Sequence, residues 1–346
     1  MRHFDADNPL AYDYAYPASA IAQAPAQPRD AARLLVYDRA QSRVSYDSFK
    51  NIPKYLPAGA VLVCNQTKVL PARFMGQKST GGKVELLFLS KQDHSFDVLA
   101  NKKLCVGDSL VVFENKLVTV SEQLPKGYRV RPHFALSELY NCLRVYGQTP
   151  IPPYIKHSSL SEVALRREYQ TVFAQQFGSV AAPTASLHFT KRLLNSLVRQ
   201  GFALEYVTLH VGLGTFAPLT SEQLQSGRLH KEVYEVEPAV AKRLEAYRKL
   251  GRPIVAVGTT VVRTLESAAD ARGSLVRLSG SADLFIRPPY RFRFVDALIT
   301  NFHVPKSSLM MLVAALIGRD KLLELYAGAI RKKFRLFSFG DGMLIK

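Results

Sequence analysis

Four short polar segments carry the side chains best suited to proton transfer and anion binding. "APTASLHFT" presents Thr184, His188 and Thr190, and "TLHVGLGTF" presents His210 and Thr215 around Gly212 and Gly214. "VGTTVVRTLES" presents Thr259, Thr260, Arg263 and Glu266; "ITNFHVPKSS" presents Asn301, His303, Lys306 and Ser307. These segments read as strand exits. In parallel α/β folds the loops at the carboxyl ends of strands line one edge, where ligands bind. Three of the eight histidines, His188, His210 and His303, fall on that edge. Imidazoles titrate near neutrality and serve as acid or base. A further run, "HKEVYEV", alternates so that His230, Glu232 and Tyr234 share one face of a strand. A polar face inside an α/β body is costly unless it lines a pocket. The helix start after Gly258 offers free N–H groups suited to a carboxylate or phosphate.

Several sharper labels fail. Gly212-Leu-Gly214 lacks the third glycine of a dinucleotide loop, and Pro218 follows where a helix should open. The histidines form no H-x-x-x-H pair of the kind zinc favours, so no metal is expected. G-x-S-x-G and G-x-x-x-x-G-K-[ST] are both absent. What remains is a metal-independent enzyme with a His/Glu/Arg/Thr pocket, its reaction left open by the residues alone.

The elements that must position this pocket fall into two textures. Residues 1–66 and 151–346 alternate apolar strands with helices, which predicts a mostly parallel α/β body. The spacing predicts a helix from Thr190 through Arg199 with Leu193, Leu194, Leu197 and Val198 on one face. Further helices begin at Pro238, at a capping threonine after Gly258, and in "SSLMMLVAALIG". Residues 67–150 instead hold short β-branched runs separated by turns such as Thr80-Gly81-Gly82 and Pro125-Lys126-Gly127. That texture predicts a smaller antiparallel β-barrel inserted into the body. A length of 346 residues suits two such units.

Composition adds a partner. Against 28 Asp and Glu stand 46 Lys and Arg, a formal net charge of +18 that concentrates polyanions, nucleic acid first. Three scattered cysteines, Cys64, Cys105 and Cys142, make no disulfide framework and fit a reducing compartment. With no apolar leader at the start and no apolar run long enough to span a bilayer, a cytoplasmic location without membrane contact is expected. A monomer is expected.

At these same residues the chain resembles the S-adenosylmethionine:tRNA ribosyltransferase-isomerases of queuosine biosynthesis. The resemblance runs through "IAQAPAQPRDAARLL", "CNQTKVLPARFMG", "GGKVELLFL", "PIPPYI", "YQTVFA" and "GSVAAPTASLHFT". It continues through "TLHVGLGTFAPL", "HKEVYEV", "VGTTVVRTLESAA", "VDALITNFHVPKSSLMMLV" and "FSFGDGMLI". It implies an α/β body carrying a β-barrel, S-adenosylmethionine as ribosyl donor, and no metal. The implied acceptor is 7-aminomethyl-7-deazaguanine at the wobble position of tRNA; the implied products are epoxyqueuosine, adenine and methionine.

On that reading His188, His210 and His303 supply acid and base, and Glu232 and Glu266 orient them or receive the acceptor amine. Arg263 with the Thr259–Thr260 helix start holds the methionine carboxylate, and Thr184, Thr215 and Asn301 complete the substrate pocket. Lys102, Lys103, Arg331, Lys332 and Lys333, with Arg335 beside them, meet tRNA phosphates, and Tyr169 or Phe216 shelves the wobble base. Four positions depart from the family pattern. Gln66 stands for an aspartate, Ser186 and Pro289 for glycines, and Gly342 for an alanine. Two other classes share parts of this pattern. They are a catalytically silent tRNA-binding relative and an S-adenosylmethionine-dependent tRNA methyltransferase, although the latter's glycine-rich first turn is missing.

Overall fold

The computed structural model describes residues 7–212 and 219–346. The chain opens with β1 (Arg33–Asp38), β2 (Arg43–Ser48) and β3 (Val61–Asn65), then a short β4 (Thr67–Val69). Next come β5 (Arg73–Lys78), β6 (Lys83–Lys91), β7 (Phe96–Ala100), β8 (Ser109–Val112), β9 (Lys116–Gln123) and β10 (Tyr128–Pro132). Helices α1 (Leu139–Tyr146) and α2 (Glu162–Glu168) lead to β11 (Gln176–Ser179), α3 (Lys191–Arg199) and β12 (Ala203–Leu209). Then follow α4 (Ser221–Ser226), β13 (Arg228–Glu235), α5 (Pro238–Lys249), β14 (Ile254–Val257) and α6 (Thr259–Ala268). The chain closes with β15 (Ser279–Leu284), β16 (Ala297–Asn301), α7 (Ser308–Ile317), α8 (Arg319–Arg331) and β17 (Gly342–Ile345).

The body is one sheet in the order β15-β13-β12-β3-β14-β16-β17-β1-β2. Its centre, β12-β3-β14-β16, is parallel, as is β17 with β1, while the flanking pairings are antiparallel. The α/β body and the barrel therefore both stand as expected, with a sheet more mixed than the strand–helix alternation suggested. Continuous apolar runs are what a strand covered on both faces requires. In β3, Val61 and Val63 enter one core layer and Leu62 and Cys64 the other. β14 divides in the same way, Ile254 and Ala256 against Val255 and Val257. Helices α5 to α8 cover the first face; α3 and the Phe49–Lys54 turn cover the second.

Helix starts follow the capping chemistry with one exception. Thr190 caps α3 by accepting from Leu193 N–H, and Ser307 caps α7 by accepting from Met310 N–H. The expected threonine cap of α6 is absent; Gly258, at φ 97°, turns the chain instead, a backbone conformation that disfavours side chains. On α3, Leu193 and Leu197 are buried but Val198 is 56% exposed, so the apolar stripe is narrower than the sequence suggested.

The barrel closes in the order β10-β7-β6-β5-β8-β9. Alternate residues point inward, among them Phe74, Leu86, Phe88, Val98, Val112, Val120 and Val130. Leu139 and Leu143 of α1 join that core. A parallel ribbon of β4 and β11 lies where the chain leaves the body and returns to it.

Candidate active site at the sheet edge

The carboxyl ends of β3, β12, β14 and β16 meet at one edge, joined there by the amino ends of β17 and β1. A residue that the sequence reading passed over ties this edge together. Asn65 Nδ2 donates to Leu209 O at 2.9 Å and Thr260 Oγ1 at 3.2 Å. Its Oδ1 accepts from Thr67 N–H at 3.0 Å and Leu209 N–H at 3.2 Å. An asparagine closing an apolar strand was the available signal, since a fully buried amide must find such partners.

Two clefts open on this edge and share Leu309. The first is lined by Thr184, Thr259, Thr260, Asn301 and His303, with Tyr154, Val211 and Ser338 beside them. It is narrow, about 40 Å³. The second is built around Glu232 and Arg263, with His230 and Gln223 on its wall. Arg263 Nη1 pairs with Glu232 Oε2 in a contact buried on both sides. Arg263 Nη2 donates to Ala282 O at 2.7 Å, while Nε has no partner among the described residues. Glu232 Oε1 accepts from Gly212 N–H at 2.8 Å. The structure thus separates Arg263 from Thr259 and Thr260, which were expected to share one carboxylate. Its guanidinium is already occupied by a buried acid, a pair that is costly to break from one side.

The three histidines differ in state. His188 is buried between structural neighbours; its ring lies 4.7 Å from that of Phe49, and Nε2 has no hydrogen-bond partner among the described residues. Burial, with Arg335 and Arg29 nearby, pushes its pKa down to about 3. His303 lines the first cleft, its Nε2 2.8 Å from Thr300 Oγ1 and its N–H donating to Tyr326 OH at 2.8 Å. Burial alone pushes it down to about 3. Both rings are neutral near pH 7 and resist protonation.

His210 is only half-buried. Its Nδ1 lies 2.9 Å from Thr67 Oγ1, and its N–H donates to Val233 O at 2.9 Å. The ring rests on Gly178, where an added Cβ would come within 2.7 Å of it. Burial lowers its basicity and Glu235 partly restores it. With Nδ1 held by a hydroxyl, Nε2 is the nitrogen left for proton transfer.

Glu266 leaves the acid–base set. Its carboxylate accepts from Tyr290 OH, Arg293 N–H, Phe294 N–H and Val295 N–H at 2.9 to 3.1 Å. It anchors the turn before β16, and four donors saturate it. Tyr169 is no shelf either, being fully buried with its ring 5.9 Å from that of Phe339. Thr215 and Phe216 lie outside the described residues. Lys102 and Lys103 are exposed on the barrel. Arg331, Lys332 and Lys333 are exposed beside the amino end of β1, where Arg33 donates to Lys332 O, and so lie at the same sheet edge as the clefts.

The four departures have local explanations of unequal reach. Gln66 is buried and donates to Thr208 Oγ1 at 3.3 Å, a neutral contact where a carboxylate would instead accept. Ser186 is buried at ordinary negative φ and carries no backbone strain. Gly342 is tightly enclosed, since a Cβ there would meet the Phe49 ring at 2.9 Å and His188 at 3.4 Å. Nothing in the structure explains Pro289.

Residues 10–345 match the sequence model of a family described as queuosine biosynthesis protein. The S-adenosylmethionine:tRNA ribosyltransferase-isomerase of Symbiobacterium thermophilum is 45% identical over 339 residues, covering 96% of this chain and 98% of that one. The protein of the same name from Moorella thermoacetica is 45% identical over 341 residues, with the same coverage. A crystal structure of S-adenosylmethionine tRNA ribosyltransferase from Thermotoga maritima superposes with a TM-score of 0.55 at 32% identity, covering 97% of this chain and 100% of that one. The chain belongs to the queuosine-biosynthesis family of S-adenosylmethionine:tRNA ribosyltransferase-isomerases, and is a transferase-isomerase enzyme.

Proposed function

We propose that this enzyme transfers the ribosyl part of S-adenosylmethionine to the aminomethyl nitrogen of 7-aminomethyl-7-deazaguanine at the tRNA wobble position. Rearrangement to an epoxycyclopentane gives epoxyqueuosine, and adenine and methionine leave. The supporting observation is His210: a half-buried imidazole of lowered basicity, with Nδ1 held by Thr67 and Nε2 left for chemistry. In this reading a proton leaves the carbon beside sulfonium for His210 and passes to the departing adenine. The acceptor amine attacks while neutral and releases one proton to solvent.

The donor occupies the first cleft, whose walls part to admit it, with Thr184 and Asn301 beside it and its carboxylate at the α6 start. His303, neutral and held at Thr300, lines the donor's cleft without carrying charge. His188 packs against Phe49. Glu232, braced by Arg263, fixes the backbone of Gly212, two residues past His210. Residues 67–150 form the inserted unit and residues 1–66 with 151–346 the catalytic one. Lys102, Lys103, Arg331, Lys332 and Lys333 attract tRNA phosphates, so binding weakens steeply with salt. The reaction belongs in the cytoplasm, where its tRNA is found.

One assay tests the reading: the protein is mixed with S-adenosylmethionine and a tRNA bearing the precursor base. Release of adenine is expected. Appearance of S-adenosylhomocysteine would make the protein a methyltransferase; a bound but unaltered tRNA would make it a silent relative.

A further inference from the structure

The β4–β11 ribbon has two chemically different faces. Thr67 and Gly178 turn one of them toward His210. Strand alternation sends their neighbours Lys68 and Phe177 to the other. These two are register partners, and the Lys68 ammonium lies 4.3 Å from the centre of the Phe177 ring. Phe177 is 47% exposed, an aromatic face left in water one residue from the wall that supports His210.

Beside that ring is a cavity of about 230 Å³, much roomier than the first cleft, bounded by Leu70, Pro71, Arg144 and Tyr169. Arg166 at its rim is neutralised by Glu162 at 2.9 Å. Lys68 and Arg144 have no carboxylate partner among the described residues; Arg144 donates only to Asn141 Oδ1, at 2.8 Å. Gln170 stiffens the wall by pairing with both backbone groups of Val69, at 3.1 and 2.7 Å.

An open ring flanked by uncompensated cations is the arrangement that binds single-stranded nucleic acid, with bases stacked and phosphates neutralised. The chain's net charge of +18 favours such a polyanion over an acidic small molecule or an apolar peptide. We propose that this pocket holds one unpaired tRNA nucleotide adjacent to the target base. Its nucleobase stacks on Phe177, and its phosphate sits between Lys68 and Arg144. The ribbon then separates two neighbouring nucleotides, one presented to His210 and the other parked behind it. This inference rests on the tRNA reading above and assigns the part of the substrate that flanks the reacting base.

The test uses the full chain and an anticodon stem-loop bearing the precursor base. Phe177→Ala is expected to weaken stem-loop binding and raise its KM roughly tenfold or more, leaving kcat and the KM for S-adenosylmethionine in place. Phe177→Tyr is expected to restore both. Lys68→Met is expected to reduce the salt dependence of binding by about one phosphate contact. Unchanged stem-loop affinity in Phe177→Ala, with its melting temperature intact, overturns the pocket. If the native chain binds the stem-loop but releases no adenine, the proposed reaction fails, while the affinity comparison still decides the pocket.

Discussion

At one sheet edge the protein keeps imidazoles in two conditions. Around Asn301, His188 and His303 are dry, close-packed and held neutral. On the ribbon side, His210 is half in solvent, gripped at one nitrogen and laid on a glycine. Residue type is the same; burial and partner count set the role. A histidine that protonates only near pH 3 serves as scaffold, whereas one still reached by solvent, its basicity lowered by burial and partly restored by Glu235, can carry a proton in both directions.

The comparison breaks most sharply at His210. His210→Ala is expected to retain tRNA affinity and lose adenine release by about 10²- to 10⁴-fold, the usual worth of general acid–base catalysis. Turnover within a few-fold of native would remove His210 from the chemistry. Next in size is Gly178→Ala, which adds a methyl within 2.7 Å of the His210 ring and so must displace it. Misplacement on the scale of 1 Å costs about 10²-fold, so kcat should fall by that order while stem-loop affinity holds. An unaffected kcat would mean that the ring's seat on the ribbon is irrelevant.

The smallest effect concerns the buried pair and is read in stability. Their folded pKa values, about 3, lie below the ordinary 6.5, so the unfolded chain binds more protons between these limits. The stabilisation is therefore complete above pH 6.5 and declines as pH falls toward 3. At pH 5 the loss reaches up to about 2 kcal/mol for each ring. Urea midpoints at pH 7.5 and pH 5 measure it, and His303→Gln should flatten the slope. A midpoint indifferent to pH would show that these rings titrate normally.

How far the sequence reveals this arrangement depends on the range of the contacts involved. Strand runs, the start of α3 at Thr190, and the barrel's short β-branched runs between turns are local signals, and all were legible. Sheet topology puts the carboxyl ends of β12, β14 and β16 at one edge, and the expected gathering of the polar loops rested on that rule. What stayed hidden were pairings between distant segments. Glu266 looks identical in sequence to a catalytic acid until backbone N–H groups of Arg293, Phe294 and Val295 arrive to saturate it. The ribbon, with strands of three and four residues, is too short to show any period. Its contribution to His210 and its exposed Phe177 face therefore had no sequence signature. Arg263 and Thr260 sit on one helix yet face different clefts, both of which Leu309 lines.

The barrel's two ends are stitched together: Arg73 N–H donates to Gln148 O at 3.2 Å, and Gln148 N–H returns a bond to Arg73 O. Central strand β3 must find β12 across a long excursion of chain that includes the whole barrel. A barrel that folds first roughly halves the length of chain to be closed, worth about 0.6 kcal/mol of closure entropy. If the barrel forms first, barrel mutations that leave the reaction groups intact are expected to slow assembly of the large sheet, which refolding rates would measure.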